Sequence, residues 1–94
     1  MMKQSFADQL KAQSEVWTAQ VKDYQDRLEQ MNEKARENYK KAVEQMEAKA
    51  EEARMMAERV RGANEAAWED MFAASQKAFA ELQKGWADAV SRFR

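Results

Sequence analysis

Apolar residues recur every seven positions along almost the whole chain, and this spacing limits the possible folds more than any other feature. A seven-residue row with a second row three or four positions away marks one face of an α-helix, and it is typical of coiled coils and helical bundles. The pattern therefore predicts an all-α fold. The rows are Leu10, Trp17, Tyr24 and Met31 with Val21, Leu28, Ala35 and Ala42, then Tyr39, Met46, Ala53 and Val60 with Val43, Ala50 and Ala57, and finally Phe72, Phe79, Trp86 and Phe93 with Trp68, Ser75, Leu82 and Ala89.

The composition also favours long helices. The 94 residues include no proline and only two glycines, and Ala, Glu, Lys, Leu and Arg supply 49 of the 94. Such a composition is typical of a long helix or a coiled coil. A chain of this length forms at most one small domain, so we expect residues 1–94 to be a single helical domain.

One turn is predicted near the middle of the chain. Gly62 is expected to adopt the left-handed conformation that often follows a helix, and Asn64 is expected to be the N-cap of the next helix. We therefore predict a turn at 62–64 that joins a first helix over about residues 3–61 to a second helix over about residues 65–93.

Folding the chain at this turn brings the apolar rows of the two helices face to face as an antiparallel hairpin. In the predicted register, Trp86 lies opposite Tyr39 and is buried there. The predicted hairpin seam consists of Tyr39, Val43, Met46, Ala53, Trp68, Phe72, Phe79, Leu82 and Trp86.

The second helix is too short to cover the first half of the long helix, whose apolar face would then lack a partner. We predict that this arm pairs with a second chain, with a dimer favoured over higher oligomers. In the alternative, the chain folds back near Asn32 into a three-helix bundle. Residues 29–33 contain no glycine or proline, and Glu29 would oppose the helix dipole there, so the long helix is favoured. The predicted oligomerisation seam is Leu10, Trp17, Val21, Tyr24 and Leu28.

Composition and charge exclude many functions. The chain has no cysteine and no histidine, so thiolate or imidazole chemistry is not possible, and we expect no enzyme activity, no cofactor and no metal site. The net charge is −1 and no long basic run occurs, which argues against nucleic acid as a partner. No apolar run has the length of a transmembrane helix or a signal peptide, so the expected location is the cytoplasm.

The residues after the predicted turn carry a recognisable pattern: Ala66-Ala67-Trp68-Glu69-Asp70-Met71, then an aromatic heptad centred on Phe79, and the ending Ser91-Arg92-Phe93-Arg94. This segment resembles a family of small bacterial helical proteins described as stress-responsive or coiled-coil proteins. The family usually has tryptophan at the position of Phe79. The resemblance implies an all-α fold, a bacterial source and a link to stress physiology, but no reaction. A second resemblance, by composition alone, is to phasins, the helical coats of polyester granules.

Two functions follow as hypotheses. The favoured one is a non-enzymatic structural or protein-interaction module that self-associates through its heptad seams. The alternative is a peripheral coating protein that binds lipid or polyester granules through the amphipathic C-terminal helix, whose aromatic stripe runs from Trp68 to Phe93. The sequence leaves the identity of a protein partner open.

Overall fold

A computed structural model describes residues 2–93 of the chain and the side chains of residues 3–93. The described residues form three α-helices and no strand: α1 (Met2–Glu29), α2 (Glu33–Gly62) and α3 (Glu65–Phe93). The helices run up, down and up along a bundle of 52 × 18 × 14 Å. The all-α prediction is confirmed. The long first helix is wrong, because the chain folds back at residues 30–32 and forms the three-helix bundle that the sequence left as the alternative.

Both turns end in an asparagine that caps the following helix. After the first turn (residues 30–32), Asn32 Oδ1 accepts a hydrogen bond from the backbone N–H of Ala35 at 2.9 Å. After the second turn (residues 63–64), Asn64 Oδ1 accepts one from the backbone N–H of Ala67 at 2.8 Å. Each asparagine satisfies one of the N–H groups that a helix start leaves without an intrahelical partner. The predicted N-cap at Asn64 is confirmed.

The first turn forms without glycine because Arg36 satisfies the end of α1. Its Nε donates a hydrogen bond to the carbonyl oxygen of Leu28 at 3.1 Å. Its Nη2 donates to the carbonyl oxygens of Glu29 at 3.4 Å and Met31 at 3.1 Å. A guanidinium at this place also brings positive charge to the negative end of the α1 dipole. The guanidinium therefore offsets the unfavourable interaction of the Glu29 carboxylate with that end of the dipole.

The second turn lies close to its predicted position but has a different geometry. Gly62 is the last residue of α2, and no residue of the described chain, glycines included, has a positive φ. The left-handed Gly62 is therefore a wrong prediction. The helix ends instead because Ala63 is extended, with φ −75° and ψ 141°. The carbonyl oxygen of Ala63 accepts a hydrogen bond from Lys3 Nζ at 2.7 Å.

The central helix is α2, whose backbone lies close to those of both α1 and α3, whereas α1 and α3 are joined mainly by large side chains. Small side chains let helix backbones approach each other, and rings fill the wider gap between the outer helices. The buried small residues of α2 are Ala42, Ala50, Ala53 and Ala57.

The core divides into two clusters along the bundle axis. One reaches the first turn and contains the stacked Trp17 and Trp86, with Phe93 beyond them. The other lies beside the second turn and includes Phe6 and Trp68. We refer below to the first-turn end and the second-turn end of the bundle.

Candidate interaction groove

The predicted oligomerisation seam lies inside the bundle of a single chain. The fold-back at residues 30–32 lays α1 against α2 and α3, and this closes the apolar face of the arm. The prediction that this seam is an open surface for a second chain is therefore wrong. Leu10, Trp17, Val21 and Leu28 are buried, and Tyr24 is half-buried.

The hairpin seam is correctly placed in the core, but its predicted register is wrong. Trp86 stacks on Trp17, with ring centroids 4.9 Å apart and an interplanar angle of 7°. Tyr39 instead packs against Phe93 at 5.1 Å. The predicted two-helix hairpin left residues 2–29 out of contact with α3, whereas in the structure α1 supplies the partner of Trp86. Of the nine seam residues, Val43, Met46, Ala53, Trp68, Leu82 and Trp86 are buried, and Tyr39, Phe72 and Phe79 are half-buried.

The aromatic stripe of α3 is covered mainly by α1. The ring of Phe6 lies 5.5 Å from Trp68 and 6.2 Å from Phe79. At the other end, the ring of Tyr24 lies 4.5 Å from Phe93. This stripe therefore forms core contacts in the folded bundle rather than an open apolar face.

A surface concavity lies between α1 and α2, and we call it the α1/α2 groove. It has a volume of about 860 Å³. Along α1 it runs from Lys11 to Gln25, which corresponds to about 21 Å at 1.5 Å per residue. Its lining residues are Lys11, Ser14, Glu15, Thr18, Ala19, Val21, Lys22 and Gln25 of α1, and Glu47, Arg54, Ala57, Glu58 and Arg61 of α2.

The floor of the groove is made of small or buried side chains. Val21 and Ala57 are buried there. Ser14 is also buried, and its hydroxyl donates to the carbonyl oxygen of Lys11 at 2.7 Å. The Thr18 hydroxyl donates to the carbonyl oxygen of Ser14 at 2.7 Å. Because both hydroxyls are bonded within their own helix, the floor presents mostly carbon to an incoming ligand.

Charged side chains of both signs line the rim. Arg54 Nη1 donates to Glu58 Oε1 at 2.8 Å, and Arg54 Nε donates to Glu51 Oε2 at 3.1 Å. The hydrogen bond from Arg54 lowers the pKa of the exposed Glu51 carboxyl, and the same bond raises the pKa of Arg54. Across the groove, Gln25 Nε2 donates to Glu47 Oε2 at 3.3 Å. The rim therefore has a mixed rather than a single-sign field.

Two other features are absent from residues 2–93. No group of three His, Cys, Asp or Glu side chains within this range is arranged to hold a metal ion. None of the described helices has the length and apolar character needed to cross a membrane.

Sequence reasoning missed the residues that build the first turn. The signal that could have found them is the dipeptide Asn-Glu, which occurs at 32–33 and again at 64–65. It marks the start of a helix in both places. The contact of Lys3 with Ala63 spans 60 residues, and no local pattern encodes it.

No protein-family model matches the chain, and no curated protein or solved structure matches it. The resemblance of the C-terminal residues to bacterial stress-responsive helical proteins therefore stays a prediction.

Proposed function

We propose that the protein is a non-enzymatic interaction module that binds one α-helix of a protein partner in the α1/α2 groove. The observation that carries the proposal is the groove itself, with its floor of small side chains between two charged rims. A helix laid along this floor would be a fourth helix of the bundle, and its side-chain ridges would pack into the grooves between side-chain rows on the surfaces of α1 and α2.

The length of the groove sets the size of the partner segment. About 21 Å of groove accommodates roughly four turns of helix at 5.4 Å per turn. Thr18 and Ala19 are exposed and small, and Ala57 below them is buried. The partner therefore needs a narrow apolar stripe of medium-sized side chains rather than a wide aromatic face.

The charges of the rim favour a protein helix over other macromolecules. Lys11, Lys22 and Arg61 alternate with Glu15 and Glu47 around the opening. Nucleic acid would require a basic surface, and a lipid surface would require a broad exposed apolar face. Rows of both signs beside an apolar stripe are how paired helices select partner and orientation.

The test is a selection of amphipathic helical peptides from a display library on the wild-type protein, followed by backbone NMR. We expect selected peptides to shift the amide signals of residues 11–25 and 47–61 and to bind at least tenfold more weakly to Thr18→Arg. The matched control is Ala74→Arg, which adds the same side chain at an exposed position of α3. Peptides that bind Thr18→Arg as well as wild type, or that shift only α3, would contradict the proposal.

A surface coat is a second proposal, supported by Phe72, Phe79 and Val90, which are only partly buried and lie on one side of α3. It requires α3 to insert in lipid. Vesicles of zwitterionic lipid with brominated acyl chains test it, because bromine quenches a tryptophan only within the bilayer. Unchanged emission of the three tryptophans on addition of vesicles would exclude the coat and leave the groove proposal untouched.

A further inference from the structure

We propose that the face of α2 and α3 that α1 covers is also a docking surface for α1 of a second copy of this chain. In this arrangement α1 and α2 of each chain join into one straight helix. The two chains then exchange their first helices about a two-fold axis near residues 30–32. The inference is independent of the groove proposal, because it concerns the core face of α1 rather than its outer side.

The first turn is built from residues that are also able to continue a helix. It consists of Gln30, Met31 and Asn32, and none of them has a positive φ. Glutamine and methionine are good helix formers, and the flanking Glu29 and Glu33 are as well. The turn contains no glycine or proline. The chain therefore passes from the closed turn to a straight helix by changes in φ and ψ alone.

The apolar rows remain on one face if the turn straightens. Leu28, Ala35 and Ala42 continue at steps of seven across the turn. The steps of four and four between Ala35 and Val43 form a stutter, which unwinds a supercoil locally without ending a helix. A straight helix from α1 into α2 would therefore present one continuous apolar face.

The contacts that α1 makes within one chain identify what would cover the face of α2 and α3 when α1 leaves it. That face carries Trp86, whose indole stacks on Trp17, and the ring pair Trp68 and Phe72, which packs around Phe6. An α1 helix from another copy brings the same rings at the same spacing. Exchange of an identical element remakes all these contacts between chains, which is why it is a low-cost route to a dimer.

Hydrogen bonds at the first turn oppose the exchange. In a straight helix, the carbonyl oxygens of Leu28 and Glu29 would accept bonds from backbone N–H groups four residues later. In the folded-back chain Arg36 donates to both carbonyls, and that of Leu28 also accepts from the backbone N–H of Met31 at 3.1 Å. Asn32 caps α2. These contacts exist only in the closed turn, so we assign Arg36 and Asn32 the role of a latch on the monomer.

Light scattering across a concentration series gives the first readout. We expect wild type to be mainly monomeric at tens of micromolar. Removing the latch with Asn32→Ala and Arg36→Ala together is expected to raise the dimer association constant about tenfold or more. The matched control is Lys3→Ala with Asn64→Ala, which removes the equivalent contacts at the second turn and should leave the chain monomeric.

Cross-linking distinguishes helix exchange from simple face-to-face association. The chain has no cysteine, so a thiol-specific reagent reacts only with the cysteines that are introduced. Cysteines at Gln25 and Glu47 join α1 to α2, and cysteines at Gln45 and Arg92 join α2 to α3. In the dimer fraction, a short bis-maleimide should link the first pair between chains and the second pair within one chain.

Two results would overturn the proposal. One is a dimer in which the pair at positions 25 and 47 links within a chain. The other is a latch variant that remains monomeric at millimolar concentration. If the double variant does not fold, as judged by circular dichroism, the milder Arg36→Gln takes its place, and a monomeric Arg36→Gln at millimolar concentration has the same meaning.

Discussion

The two ends of the bundle have the same kinds of capping contact, but the cationic side chains come from different places in the chain. Each has an asparagine N-cap and a cationic side chain on the carbonyl oxygens of the turn. At the first-turn end, Arg36 comes from the first turns of α2 and reaches carbonyl groups of residues 28, 29 and 31. At the second-turn end, Lys3 comes from the start of α1 and reaches Ala63 alone. The cationic contact at the first turn is therefore local, whereas the one at the second turn exists only when α1 is docked.

The aromatic residues at the two ends differ as well. Phe6 at the second-turn end is surrounded by the rings of Trp68, Phe72 and Phe79, at 5.5 to 6.3 Å. At the first-turn end, Phe93 lies between Tyr24 and Tyr39, which are half-buried. Phe6 therefore contacts more aromatic rings at the second-turn end than Phe93 does at the first-turn end.

The largest expected effect is on packing. Phe6→Ala should lower the free energy of unfolding by about 3–5 kcal/mol, because it removes a buried ring that contacts three others. Phe93→Ala should cost less, since it removes contacts with two rings rather than three. Urea denaturation followed by tryptophan fluorescence measures both. A larger loss for Phe93→Ala would reverse the ranking of the two ends.

The cations should show the opposite ranking. Arg36→Ala is expected to lower the free energy of unfolding by about 1–2 kcal/mol, because carbonyl groups at the end of α1 lose a charged donor. Lys3→Ala removes a single bond and should cost about half as much. Arg36→Lys should restore only part of the loss, since an ammonium group does not reproduce the planar fork of the guanidinium. Equal losses for both alanine variants would mean that the two cationic contacts contribute equally to stability.

The asparagine caps test the feature that the ends share. Asn32→Ala and Asn64→Ala should each lower the free energy of unfolding by about 1 kcal/mol, the typical contribution of an N-cap. Both caps are exposed and make bonds of similar length, so thermal unfolding should rank them as equals. A difference of more than about twofold would show that one turn controls the stability of its helix far more than the other.

The smallest effect concerns Gly62. It is helical and a Cβ there would meet nothing within 4 Å, so Gly62→Ala should raise the free energy of unfolding by about 0.5 kcal/mol. Gly85→Ala is the comparison, since its Cβ would lie 2.8 Å from Lys49 Cε and that flexible chain must move. It should therefore gain less. A lower melting temperature for Gly62→Ala would show that the second turn does need glycine.

Some features of this chain could be predicted from local pattern. The asparagine cap at 64 and the end of a helix close to 62 follow from residues within one turn of each other. The first turn was predicted only as an alternative, because it contains no glycine or proline; Asn32 and Arg36 build it instead. The groove could not be predicted, because its two walls come from helices that the favoured reading joined into one.

By itself, the sequence determined that the protein is helical, which face of each helix is buried, and where α3 begins. These properties depend on the spacing of apolar residues and on helix capping, and both involve residues that are close together in the sequence. Only the tertiary structure decided that the chain folds back at residues 30–32, that Trp86 stacks on Trp17, and that Lys3 holds the second turn. A heptad face fits any similar face, so the choice among partners rests on the contacts at the ends of the helices and on the fit of the rings between them.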